Sequence, residues 1–146
     1  MARGVHVRFY PAAMRRLAAD EASALEQAAE AVVTDLVMSQ TLPFASPTVE
    51  AKDGTQVPRR DGVVPGELQG SVHSERSRSA EGRVSVVAST PYARNLYYHP
   101  DWDYYRGTNP RAGGAWFEPY KRGGAKAGFV RKAYEVRLRA MRGRGA

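Results

Sequence analysis

From Pro11 to Met38 the chain runs for 28 residues with no glycine and no proline after the first position. Proline suits the first helical turn, because its missing N–H would have no partner there anyway. Leu17, Leu25, Ala28, Ala29, Val32, Val33 and Leu36 recur at steps of three and four, which is the spacing of one helix face. Alanine is abundant and favours the helix further. The polar face carries Arg15, Arg16, Asp20, Glu26, Glu30 and Asp35. The segment therefore predicts an amphipathic helix of roughly seven turns. A helix of that length must bury one stripe on a sheet or on a neighbouring subunit.

The pattern stops at Thr41. Pro43, Pro47, Gly54, Pro58, Gly62 and Pro65 exclude any long regular element across residues 41–65. Such a loop is uncommon inside a domain and usually serves a purpose, here expected to be contact with a neighbour. Asp53-Gly54 can close a short hairpin, with Thr48-Val49-Glu50 and Gln56-Val57 as its arms.

Residues 66–118 hold the expected sheet and an aromatic loop. Val64-Pro65-Gly66 reads as a turn that delivers Leu68 inward at the start of a strand. Leu68–Arg76 and Arg83–Thr90 read as two strands, the second valine-rich and alternating. Pro91 ends it, and Leu96–His99 is expected to be extended as well. Residues 119–146 form the last region, with a basic helix from about Gly124 to Met141 and a short tail. Helix, loop, strands and helix in that order give an α+β fold with a small antiparallel sheet, in a single domain covering 1–146.

Charge is unevenly distributed. Residues 1–81 carry 9 Lys/Arg and 11 Asp/Glu, a net of −2, whereas residues 82–146 carry 13 and 4, a net of +9. From Lys121 onward the basic residues are Lys121, Arg122, Lys126, Arg131, Lys132, Arg137, Arg139, Arg142 and Arg144, against Glu135 alone. Such asymmetry fits a polyanionic neighbour, either nucleic acid or an acidic protein surface; a solvated basic tail fits it equally.

The chemistry of enzymes finds little footing. With no cysteine, disulfides, thiolate zinc sites and cysteine nucleophiles drop out together, and a reducing cytosol is the natural compartment. His99, Asp101 and Asp103 alternate, but His6 and His73 have no companion ligand pattern, so no metal is expected. Ser71 and Ser74 lack a Gly-x-Ser-x-Gly elbow. Arg122-Gly123-Gly124-Ala125-Lys126 has the wrong spacing for a phosphate-binding loop, so no cofactor is expected either. Met1–Tyr10 has no apolar run to make a signal peptide, and no window approaches the roughly 18 apolar residues of a membrane span. A soluble protein without membrane contact is the expectation.

The most distinctive stretch runs from Thr90 to Tyr120. It contains Thr90-Pro91-Tyr92-Ala93, Leu96-Tyr97-Tyr98, Trp102 with Tyr104 and Tyr105, Asn109-Pro110, and Trp116-Phe117-Glu118. Both tryptophans of the chain lie here. Aromatic residues give large contact area at low side-chain entropy cost, which suits an interface. An aromatic core explains the same composition.

In their order and spacing, these motifs resemble the minor capsid proteins of tailed bacteriophages, within the broader group of head–tail connector, or neck, proteins. The preceding Gly66-Glu67-Leu68-Gln69-Gly70-Ser71 is similar to that group's Gly-x-Leu-x-x-Ser step. The resemblance covers about Pro65–Met141, and the N-terminal helix only generically. It implies a non-enzymatic virion protein, assembled in the host cytoplasm and placed at the head–tail junction. Its partners would be itself, in a sixfold or twelvefold ring, and other connector, portal or tail proteins. Tyr92, Tyr97, Tyr98, Trp102, Tyr104, Tyr105, Trp116 and Phe117 would then supply subunit contacts. The basic residues from Lys121 to Arg144 would face a partner or DNA in the lumen. The alternative is a nucleic-acid-binding module that uses the basic C-terminal segment.

Overall fold

The structure is a computed structural model that describes residues 10–144. It has an α+β fold. Helix α1 spans Pro11–Met38, as its periodicity requires. Ala24, Ala28, Ala29, Val32 and Leu36 form its buried stripe. Ser39 ends the helix by donating its hydroxyl back to the Asp35 carbonyl at 2.6 Å.

Strands β1 (Thr48–Glu50) and β2 (Gln56–Pro58) pair antiparallel around the Asp53-Gly54 turn. Gly54 has φ 85°, and Asp53 accepts bonds from the Thr55 N–H and hydroxyl. Strands β3 (Val72–Glu75) and β4 (Ser85–Ala88) form a separate antiparallel pair, with His73 opposite Val87. The single small sheet expected from sequence is thus two independent hairpins.

Helix α2 (Glu67–Ser71) occupies the first half of the segment expected to be a strand. Gly66, at φ 83°, turns the chain into the left-handed region, and Gly70 N–H then bonds the Gly66 carbonyl. The turn places Leu68 and Val72 four residues apart on one inward face, both buried. Helix α3 (Ala93–Tyr97) replaces the extended stretch expected at Leu96–His99. Ala93 is buried, and Leu96 and Tyr97, three and four residues on, pack against the same core. In both cases a short helical spacing sits inside a run too brief to reveal its period.

Helix α4 covers Phe129–Arg144 and begins later than Gly124. Gly123 is left-handed at φ 84°. A Cβ on Gly124 would lie 2.4 Å from the Glu118 carbonyl oxygen, so the chain makes tight turns here first. Glu118–Tyr120 is a single 3-10 turn and not the start of the final helix.

Helix α4 runs antiparallel along α1. Lys126, just before it, reaches Asp35, and Arg142 near its end reaches Glu21. The β3–β4 hairpin packs on α1 as well, fastened by Ser74 and Arg76, which both bond Glu30. The core gathers Leu36, Leu42, Leu68, Val72, Ala93 and Trp116 where α1, α2, α3 and the aromatic segment meet. No helix among the described residues is long and apolar enough to cross a membrane.

Candidate interaction surface

The aromatic segment divides into an inner and an outer set. Trp116 is 3% exposed and belongs to the core, so it has almost no surface to offer a neighbour. Tyr97 packs edge-on against it at 5.0 Å, and Phe117 lies beside both. The Tyr97 hydroxyl donates to Glu118 at 2.5 Å, and Lys121 bonds the same carboxylate at 2.7 Å. Those hydrogen bonds hold the Glu118 carboxyl below the ordinary range. Burial, followed by the Glu118 bond, raises the Tyr97 phenol. Tyr92 is half-buried and donates to Glu67 at 3.1 Å. The Tyr104 hydroxyl lies 2.7 Å from the carbonyl oxygens of both Leu96 and His99, bracing the end of α3.

The outer set is Tyr98, Trp102 and Tyr105, at 67, 44 and 42% exposure. Trp102 is stacked on the His99 ring at 4.1 Å with 16° between planes. A large apolar ring held flat in one orientation, yet open to water, is ready for contact with little entropy to lose. The three outer rings stand on a segment tied down by the inner set. Ala115 N–H bonds the Tyr97 carbonyl, while Arg111 and Gly113 N–H groups bond Gln40 and Thr41.

The basic residues divide in the same way. Lys126 is an internal staple: its ammonium meets Asp35 at 2.6 Å and Ser39 at 2.8 Å. Tyr120 donates to the same Asp35 oxygen at 2.5 Å. Burial opposes ionisation of Asp35, but the bonds from Lys126 and Tyr120 outweigh it and keep the carboxyl below its usual range. Burial and Asp35 together drive the Tyr120 phenol strongly upward. Lys121 is engaged with Glu118, Arg142 with Glu21, and Arg137 with the Ala133 carbonyl. Arg122, Lys132 and Arg139 are exposed and have no ion-pair partner among the described residues. Arg131 is 85% exposed and pairs with Glu135 one turn on. Arg131, Lys132 and Arg139 share the outward face of α4, around the half-exposed Val136. Arg144 is the last residue of the helix.

One part of the site escaped sequence reasoning. The 41–65 loop does not stand apart but closes a cleft of about 510 Å³ against the aromatic segment, lined by Phe44, Val64, Glu67, Tyr92, Tyr104 and Tyr105 among others. Phe44 between two prolines and the exposed Val63-Val64 pair were the available signals. Among the described residues no group of three or more His, Cys, Asp or Glu is arranged to hold a metal ion. In comparisons with family models, curated proteins and solved structures, this chain matches nothing.

Proposed function

We propose that the chain is a structural subunit of the head–tail connector of a tailed bacteriophage, acting through surface contacts in a ring between the portal side of the capsid and the tail. The observation that carries this reading is the division of the aromatic segment. Tyr97, Tyr104 and Trp116 fix the segment to the body, and Tyr98, Trp102 and Tyr105 are displayed from it. The ordered motifs from Gly66 to Trp116, with their resemblance to connector proteins, support the same reading. A ring needs a rigid displayed patch on one side of each subunit and a receiving surface on the other, so that head-to-tail contacts close. The open cleft beneath the 41–65 loop offers an apolar receiving surface.

A second reading is favoured by one observation, the outward row of Arg131, Lys132 and Arg139 on α4. Those cations are free to meet phosphates, whether in the lumen of a ring or in a separate nucleic-acid-binding module. Native mass spectrometry of the purified chain, with and without DNA, separates the two. A discrete ring mass without DNA supports the connector subunit. A protein that gains mass only when DNA is added, with an affinity falling steeply as salt rises, overturns it in favour of the module.

A further inference from the structure

The buried stripe of α1 does not end where the domain ends. Tyr10, Met14 and Leu17 lie at steps of four and three, and the series continues through Ala24, Ala28 and Leu36. The latter three are at most 1% exposed, whereas Tyr10, Met14 and Leu17 are 64, 51 and 45% exposed. One face thus changes from core to open water along a single helix. The break falls at Glu21, where Arg142 makes the last ion pair between α4 and α1. Pro11 to Ala19 are exposed on every side. These nine residues span about 14 Å of helix, and so short a piece is marginal in water without a partner. Only two residues of this sequence follow Arg144, too few to extend α4 along the uncovered stripe.

We propose that this stripe is an isologous docking surface for a second copy of the chain, the two α1 helices crossing antiparallel at Ala18. A twofold contact needs one patch that is complementary to itself, and two features supply it. At the foot of the stripe lies a groove of about 530 Å³ whose lining includes Ala18, Ala22, Leu25, Val130 and Tyr134. In an antiparallel pair centred on Ala18, Met14 of one copy comes opposite Ala22 of the other, and Tyr10 opposite Glu26, next to Leu25. The exposed side chains of each copy therefore enter the groove of its mate. Charge matches as well. Arg16 and Asp20, four apart, share one flank and make no ion pair within the chain. About the same axis Arg16 of each copy faces Asp20 of the other. This contact goes beyond the connector reading and does not rest on it, because ring closure uses head-to-tail contacts and this one is twofold.

Sedimentation velocity of the full chain over a range of concentrations tests the proposal. A monomer–dimer equilibrium is expected. L17E should weaken it at least tenfold while leaving the circular dichroism unchanged, since Leu17 is half-exposed. R16D and D20R should each weaken it, and R16D/D20R together should restore it. Because the chain has no cysteine, A18C provides a position-specific check. A thiol crosslinker of roughly 8 Å, the spacing of closely packed helices, should join A18C chains in pairs. It should join A12C chains, altered on the opposite side of the helix, far less. A wild-type monomer at all concentrations overturns the proposal, whatever else covers the stripe. So does self-association indifferent to L17E, or equal crosslinking of A18C and A12C.

Discussion

The side-chain amide of Asn109 donates to the Leu42 carbonyl at 2.8 Å, across 67 positions of sequence. The same Nδ2 reaches Gln69 Oε1 at 2.9 Å. Asn109 is 4% exposed, and Leu42 is fully buried. One side chain therefore ties the exit of α1, helix α2 and the aromatic segment together at the edge of the core. The outer rings Tyr98, Trp102 and Tyr105 inherit their positions from this knot.

Asn109→Ala should cost about 1–3 kcal/mol, because it leaves a buried carbonyl without its donor. Asn109→Asp should cost more, since it sets a carboxylate against that carbonyl. The midpoint of urea unfolding measures both. An Asn109→Ala midpoint equal to wild type would mean that the knot contributes nothing.

Gly66 and Gly62 have nearly the same backbone angle, φ 83° and 82°. Their surroundings differ. A Cβ at Gly66 would lie 2.9 Å from two carbons of the Phe44 ring, and one at Gly62 would meet nothing within 4 Å. Gly62→Ala should lose only the backbone term of about 1 kcal/mol. Gly66→Ala should lose that and the displacement of Phe44 besides, together about 2–3 kcal/mol. Calorimetric comparison of the two variants isolates the Phe44 contact.

Asp35 and Glu30 both have carboxyl groups held below their ordinary values of 3.8 and 4.5. For Glu30 the largest cause is the Ser74 hydroxyl, with burial opposing and Arg76 assisting. A depressed folded pKa stabilises the fold above the unfolded value, and this stability is lost as pH falls through the folded one. Stability should thus be insensitive to these groups near neutrality and fall on acidification below about pH 4.5, the ordinary glutamate value. Asp35→Asn should be less stable than wild type at pH 7 and show a shallower loss in acid. Urea midpoints across that range would reveal it, and parallel curves would refute the assignment.

Elements with a long, uninterrupted period were legible in the sequence, and short ones were not. Pro11–Met38 declares itself over seven turns, and the Asp53-Gly54 hairpin through one turn dipeptide. Helices α2 and α3, at five residues each, hold little more than one turn. Leu68 with Val72, and Ala93 with Tyr97, fit a strand or a helix until the tertiary contacts decide. The start of α4 was obscured by close backbone packing at Gly124, which no spacing of side chains encodes. For the site, composition identified the aromatic segment but not its division. Trp102 and Trp116 are chemically alike, and only the Leu36–Leu42–Trp116 cluster separates the core ring from the displayed one.

That division can be tested directly on the two tryptophans. Trp116 is 3% exposed and Trp102 44%. A soluble quencher should suppress the fluorescence of Trp116→Phe, which retains Trp102, far more than that of Trp102→Phe, which retains Trp116. Trp116→Ala should destabilise by about 3–5 kcal/mol, the usual cost of deleting a core aromatic. Trp102→Ala should leave the unfolding midpoint within about 0.5 kcal/mol of wild type, as expected for a surface change. If the outer ring is a subunit contact, the same Trp102→Ala chain will fold normally yet fail to enter particles in a complementation assay. Normal incorporation and infectivity with Trp102→Ala would remove Trp102 from the contact surface, and with it the central ring of the displayed patch.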